Sequence, residues 1–204
     1  MCGITGIVRF DGVPVARAEI KKMTDAIAHR GPDGEGQWCE GSMGLGHRRL
    51  AIIDLSEAAA QPMHSQDGRY VITYNGEVYN YRELRRELER SGSRFFSQSD
   101  TEVVLEAITR WGIDDAVKRF NGMFAFAIWD RHARTLLLGR DRYGIKPLYV
   151  WQSRNQIAVA SEPKAFRSLQ GFVHILDAEG LAEYFTFQNI LTNRTFLKDV
   201  SVFP

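Results

Sequence analysis

A cysteine directly after the initiator methionine sits at a position with chemical potential. A side chain as small as that of Cys2 permits removal of Met1, which would leave a thiol and a free α-amine on one residue. That pairing is the arrangement of an N-terminal nucleophile, whose amine acts as the local base for its own side chain. The protonation states need tuning. With an α-amino pKa near 7.7–8.0, roughly 10–15% of the amine is free base at pH 7, and a thiol of pKa about 8.5 is a few per cent thiolate. Burial lowers the amine's pKa, and nearby positive charge lowers both. The plainer alternative is a cysteine buried in a strand. Cys39, beside Trp38 in a short apolar patch, fits that alternative better.

Other residues carry functional readings beside ordinary ones. Asn75-Gly76-Glu77 follows a strand pattern and precedes a helix pattern, and Asn-Gly is first of all a turn signal. Functionally, the Asn75 amide and the Gly76 N–H form two donors for the oxyanion of an amide-hydrolysing reaction, with glycine allowing close approach and a positive φ. Arg49, in His47-Arg48-Arg49-Leu50, either faces solvent or pairs with a substrate carboxylate through its planar fork. Asp100 suits the first turn of a helix through the helix dipole. Read functionally, it and Glu77 could hold a substrate ammonium group, although each of these residues taken singly leans structural.

The elements that must position these residues follow from periodicity. Residues 2–10 read as a strand closed by the Asp11-Gly12 turn, and about 16–28 as a helix with Ile20, Met23 and Ile27 on one face. The Gly- and Pro-rich stretch 30–36 reads as a loop, whose three glycines make it a candidate mobile lid over a ligand. Strands are expected at 43–54, bent near Gly46, and at 69–75. Helices are expected over about 81–91, with Asn80 as N-cap and Glu83 three residues on, and over about 100–111, opened by the capping-box pattern Ser99-x-x-Glu102. From 122 onward GMFAFAIWD, TLLLGR, KPLYVWQ and QIAVAS suggest an antiparallel meander, followed by a helix at about 178–186. Strands, then helices, then strands indicate one α+β domain with helices packed on antiparallel sheets.

Bulk properties narrow the function classes. The 204 residues carry a formal net charge of +1, with 44% hydrophobic and 25% charged residues. Nothing in this balance points to nucleic acid or an anionic membrane. No apolar run approaches the roughly 20 residues needed to span a bilayer, and the N-terminus lacks the pattern of a signal peptide. A cytoplasmic location is the default expectation. Two cysteines make no disulfide framework, and five scattered histidines with no CxxC or HExxH spacing make a metal site unexpected.

The segments MCGI at the start, HRGPD at 29–33, GHRRLAIIDLS at 46–56, QPM at 61–63, YNGEVYNY at 74–81, SDTE at 99–102, FNGMFAFAIWD at 120–130, GRDRYGIKPLY at 139–149 and SEPKA at 161–165 occur in order. Over nearly its whole length the chain resembles the N-terminal glutaminase domain of glutamine-hydrolysing asparagine synthetases, within the class II glutamine amidotransferases. The resemblance implies a four-layer αββα sandwich of the N-terminal nucleophile hydrolase type. It implies Cys2 as nucleophile with its α-amine as base, Asn75 and Gly76 as oxyanion hole, and Arg49 on glutamine's α-carboxylate. It places Glu77 and Asp100 at the α-amino group, and backbone groups of Leu50, Ile52 and Ile53 along the same pocket. The implied reaction converts L-glutamine to glutamate and ammonia through a γ-glutamyl thioester, with no metal or cofactor in this domain.

In that family a larger synthetase domain follows, binding ATP through a Gly-rich loop that has no counterpart here. ATP and Mg are expected only there. Residues 1–204 therefore read as a single amidotransferase domain in which about 178–204 resemble the start of the interdomain connection. The chain is expected to be a piece of a longer protein, or a stand-alone glutaminase feeding a separate ammonia-accepting synthetase. An uncovered domain boundary would expose apolar surface, which a homodimer is one way to bury. A competing expectation is a catalytically silent glutamine-binding or regulatory module. The ammonia acceptor, aspartate or another metabolite, is not specified by these residues.

Overall fold

The computed structural model describes residues 1–204. In chain order the elements are β1 (Gly3–Arg9), α1 (Arg17–Ala26), β2 (Gly34–Glu40), β3 (Met43–Arg49), β4 (Met63–His64), β5 (Tyr70–Val78), α2 (Tyr81–Arg90), α3 (Asp100–Trp111), α4 (Ile113–Arg119), β6 (Gly122–Asp130), β7 (Thr135–Arg140), β8 (Tyr149–Gln152), β9 (Gln156–Ala160), α5 (Ala178–Phe187) and β10 (Val200–Val202). Short 3-10 turns follow α1 and β9.

The strands form two sheets, ordered β10-β8-β9-β1-β3-β2 and β4-β5-β6-β7, with every strand pairing antiparallel. Three apolar clusters define four layers. One packs α1 and the 3-10 turn after β9, through Ile20, Met23 and Phe166, on the outer face of the six-stranded sheet. A second packs α2, α3 and α4, through Leu84, Leu88, Val104 and Ile108, on Tyr74, Phe126 and Ile128 of the four-stranded sheet. The third lies between the sheets, where Ile4, Met43, Leu45 and Val159 meet Val71, Ala125, Ala127 and Trp129. This is the expected αββα sandwich. It also explains why β1 and β6 read as continuous apolar runs, since both of their faces are covered.

Several local expectations are corrected. The strand expected over 43–54 stops at Arg49, and Leu50–Asp54 leaves the sheet as a loop. The stretch 30–36 is a loop only as far as Asp33, because β2 begins at Gly34. Two of its three glycines answer a need for close packing: a Cβ on Gly31 would lie 2.3 Å from the Arg48 carbonyl carbon, and one on Gly36 2.0 Å from the Gln61 carbonyl oxygen. Asp33 is fixed at both ends, its N–H on the Arg49 carbonyl and its Oδ2 accepting from Ala51 N–H. The strand expected to end at residue 75 runs on to Val78, and the short α4 was not foreseen. The meander from 122 onward is split between the sheets. The carboxylate of Asp141 gathers the N–H groups of Tyr143, Ile145 and Lys146, and this turn carries the chain from β7 in one sheet to β8 in the other.

The helix caps differ too. Asn80 stands at the N-cap of α2, but its amide donates to the Arg119 carbonyl and its Oδ1 accepts from Asn121 N–H. Ser99 Oγ does accept from Thr101 N–H, whereas Glu102 turns away from Ser99 to the N–H groups of Phe96 and Ser97.

Two polar bridges cross the inter-sheet layer between β3 and β5. Fully buried Thr73 donates from Oγ1 to the Gly46 carbonyl at 3.0 Å, and His47 Nε2 donates to the Tyr74 carbonyl at 3.2 Å. Replacing Thr73 with Val removes a buried hydrogen bond at constant shape and should cost ~1 kcal/mol, measurable by urea denaturation. His47 is 1% exposed, and its pKa is lowered to about 3, chiefly by burial, with the Arg49 charge adding and the Tyr74 carbonyl opposing. A histidine held neutral in the fold contributes stability that is present above its unfolded pKa and is lost as pH falls toward the folded value. Unfolding free energy should therefore fall by ~2 kcal/mol between pH 7 and pH 5. His47→Gln should flatten that limb, and an unchanged slope would exclude His47 as its source.

Candidate active site

Cys2 immediately precedes β1, which lies inside the six-stranded sheet with Gly3 opposite Arg48 of β3. Leu50, just past the end of β3, consequently lies beside the thiol. Its N–H donates to Cys2 Sγ at 3.4 Å, and the thiol is 3.6 Å from the Leu50 carbonyl. The main chain is held from the other side, where Arg30 Nε donates to the Cys2 carbonyl at 2.9 Å and Nη1 to Glu162 Oε1 at 2.9 Å. One residue further on, Ile4 N–H donates to Ser161 Oγ at 3.0 Å. Burial pushes the Cys2 thiol pKa up. The Leu50 N–H, the N-terminal charge and Arg49 act the other way, and Asp100 adds to the rise.

Asn75 and Gly76 come from the other sheet. They lie within β5, opposite Ala125 and Phe124 of β6, so Asn-Gly is here part of a strand and forms no turn. A Cβ on Gly76 would lie 2.5 Å from the Met123 carbonyl oxygen and 2.7 Å from the Phe124 Cα. Close approach of β6 requires this glycine; its φ is not positive, contrary to expectation. The Asn75 side chain is 1% exposed and its Nδ2 has no hydrogen-bond partner. An orphan donor of this kind costs about 1–3 kcal/mol. A fold keeps such a group where something other than the protein completes it.

Asp100 opens α3 and is almost wholly buried. Its Oδ2 accepts from Val78 N–H and from the Tyr74 hydroxyl, both at 3.0 Å. Burial raises its pKa, and the neighbouring Glu77 adds to this, while the bonds from Val78, Tyr74 and Thr101 oppose it. Arg49 donates from Nη1 to the Ser56 carbonyl and from Nη2 to the Asp54 carbonyl, so the loop after β3 wraps around its guanidinium. Asp54 in turn takes the Gln98 N–H at 2.7 Å, tying that loop to the approach to α3.

Cys2, Arg49, Leu50, Ile52, Ile53, Asn75, Gly76, Glu77 and Asp100 all line one cavity of about 220 Å³. That is smaller than the ~300–1,000 Å³ of pockets for drug-sized ligands and matches a single small metabolite. Every residue singled out from the sequence is in this wall. Sequence reasoning missed His47, Gln61, Tyr74, Ser99, Thr101, Met123 and Lys146, which line it as well. A signal existed for some of them. Gln61 stands in the QPM run and Lys146 in GRDRYGIKPLY, but neither type announces a role without the fold. Gln61 Oε1 accepts the Tyr74 N–H at 2.6 Å and its Nε2 donates to Thr101 Oγ1, bracing β5 against α3. No group of three or more His, Cys, Asp or Glu side chains is placed to hold a metal ion.

A thiol, an unpartnered amide donor, two cations and three acids thus line one small cavity. Comparison with known proteins bears on this directly. The glutamine amidotransferase domain family matches residues 1–204. The glutamine-hydrolysing asparagine synthetase 1 of Bacillus subtilis is 43% identical over 193 residues, covering 92% of this chain and 30% of that protein. A putative glutamine-hydrolysing asparagine synthetase 2 of Methanocaldococcus jannaschii is 42% identical over 188 residues, covering 83% of this chain and 36% of that protein. The chain thus spans about a third of the length of these curated relatives. Among solved structures, the glutamine phosphoribosylpyrophosphate amidotransferase of B. subtilis, complexed with ADP and GMP, superposes with a TM-score of 0.70 at 25% identity over 82% of this chain and 43% of that one. Sequence, fold and the contents of the cavity agree: this chain belongs to the glutamine amidotransferase domain family.

Proposed function

We propose that the chain hydrolyses the side-chain amide of L-glutamine to glutamate and ammonia, with Cys2 as nucleophile once Met1 is removed. The observation that carries this reading is Asn75 Nδ2, a buried donor without a partner on the wall of the cavity that holds the Cys2 thiol. Such a donor suits an oxygen that arrives with the substrate and becomes negative during reaction.

In this reading the α-amine of Cys2 takes the thiol proton and sulfur attacks the amide carbon. The oxyanion accepts from Asn75 Nδ2 and the Gly76 N–H. The C–N bond then breaks, the nitrogen leaving as ammonia with the proton returned through the amine, and a γ-glutamyl thioester remains. Water attacks the thioester carbon, the C–S bond breaks, and glutamate departs as sulfur regains a proton. Arg49 spends two of its N–H donors on loop carbonyls. A guanidinium has five, so three remain for the α-carboxylate. Glu77 and the buried Asp100 form a paired negative site for the α-ammonium, whose arrival offsets the burial that raises Asp100. Backbone groups of Leu50, Ile52 and Ile53 complete the pocket. No step calls for a metal or cofactor.

The relatives' names extend the proposal to the fate of the ammonia, which would enter an ATP-dependent amidation, forming asparagine or a related product. The acceptor site, with its ATP and Mg, would belong to a C-terminal synthetase domain or a separate protein. In the segment expected to lead toward such a domain, α5 leaves Phe185 and Phe187 open to solvent. No helix is long and apolar enough to cross a membrane.

Met1 supports a second reading under one condition. While it remains it lines the cavity itself, and the nitrogen of Cys2 is a peptide nitrogen that cannot act as base. A chain that keeps Met1 is therefore a silent glutamine-binding module. Intact-mass measurement should find the mature chain one methionine short. Glutamate release from glutamine should fall at least ~10³-fold in Cys2→Ala, and equal rates in the two proteins would refute hydrolysis through Cys2. Asn75→Ala should lower kcat by about 10²–10³-fold with a smaller effect on KM.

A further inference from the structure

Lys146 is the charged residue of the cavity that the proposed reaction leaves without a task. It is 5% exposed and lines the same cavity as Cys2, Asn75 and Glu77. Its backbone is rigidly placed. The N–H donates to Asp141 Oδ2 at 3.0 Å, and the carbonyl accepts from Arg140 Nε at 2.8 Å. Arg140 also donates from Nη2 to the Gly144 carbonyl, so both sides of the turn are held by one guanidinium. Asp141, for its part, takes four N–H groups, those of Phe124, Tyr143, Ile145 and Lys146. The side chain these anchors deliver has no hydrogen bond and no ion pair with the protein, unlike Arg30, whose guanidinium is paired with Glu162.

The stem of Lys146 is buried and its ammonium, on the cavity wall, has no protein counter-ion, as expected where the charge has work in the cavity. The charges that bear on Lys146 are Cys2, Glu77 and Asp141 as potential anions, with Arg30 as the opposing cation, and Cys2 and Glu77 share its cavity wall. Those that bear on Cys2 are the N-terminal amine and Arg49 on one side of the balance and Asp100 on the other. Burial raises the thiol pKa, so a thiolate there calls for nearby positive charge, and the Arg49 guanidinium is partly engaged by the loop it organises.

We propose that Lys146 is a positioning cation that acts through Cys2, its unpaired ammonium stabilising the thiolate that forms when the α-amine takes the thiol proton. The inference rests on the reading of Cys2 as nucleophile and deepens it. Burial also lowers the pKa of Lys146 itself, with Arg30 adding to this, so the support it gives the thiolate weakens as pH rises into the alkaline range.

The test is the pH dependence of iodoacetamide alkylation, read by mass spectrometry on the Cys2 peptide with Cys39 as internal reference thiol. It is performed on the whole chain without glutamine, so its outcome is independent of whether the chain hydrolyses glutamine. In Lys146→Met the apparent pKa of Cys2 should rise by about one unit or more, while Lys146→Arg should keep the wild-type profile and Cys39 should not change. Lys146→Gln provides the same charge removal if the methionine variant does not fold. Superimposable Cys2 profiles for the wild type and either neutral variant would overturn the proposal. So would an equal shift in Lys146→Arg and the neutral variants, because a role in packing alone does not distinguish charge.

Discussion

The two sheets must be clasped together at one place, between β3 and β5, for any of the site to exist. Cys2 hangs from the end of the six-stranded sheet, whereas Asn75 and Gly76 belong to the interior of the four-stranded one. The hydroxyl of Thr73 on the Gly46 carbonyl and the ring of His47 on the Tyr74 carbonyl fix the spacing across the layer. These are directional bonds in an otherwise apolar interface. Dispersion and burial press the sheets together but tolerate sliding. A hydrogen bond tolerates little, since it weakens steeply once its angle closes. The distance between Cys2 and the Asn75-Gly76 pair is therefore inherited from contacts that belong to neither.

Around that clasp the cavity gathers groups whose demands the protein alone leaves unmet. Asn75 carries a donor with no acceptor, Asp100 a carboxyl strained by burial, and Lys146 an amine with no counter-ion. Each would be better solvated in water, and each is held by bonds to the rest of its residue or to its neighbours. The compensation is found in the surrounding layers, where three apolar clusters supply the stability. In the proposed reading, an amino acid bearing a carboxylate, an ammonium and a polar amide would complete these groups in one event. The ordering was done during folding, so binding need not supply it.

Much of this was legible in the sequence, for identifiable reasons. The helix at 100–111 announced itself through periodicity and a capping serine, and the one expected at 81–91, observed as Tyr81–Arg90, through the start signal of Asn80 and Glu83. The cavity residues drawn from the sequence all converge, because a short motif fixes side-chain identity and strand register together. What was not legible depends on tertiary pairing. Asn75-Gly76 has the composition of a turn, yet β6 pairs alongside and keeps it extended. Leu50–Asp54 has the composition of a strand, yet Arg49 draws the loop carbonyls around its guanidinium and bends the chain away. β7 and β8 look like neighbours, but the Asp141 turn sends them to different sheets. Lys146 and Gln61 gave no local sign of belonging to a cavity, because burial of a polar side chain is decided by the elements packed over it.

Asn75 preceding Gly76 has one further consequence, which concerns the lifetime of the molecule. In a flexible chain an Asn-Gly pair ages: the glycine nitrogen, unhindered by a side chain, attacks the asparagine amide carbon, and the resulting cyclic imide opens to aspartate or isoaspartate. Here that chemistry would place a carboxylate where a donor now stands. The extended backbone imposed by pairing with Ala125 and Phe124 keeps the nitrogen from swinging onto the amide, and burial denies water to the ring that would form. The strand that aims the donor is thus also what keeps it from spontaneous deamidation.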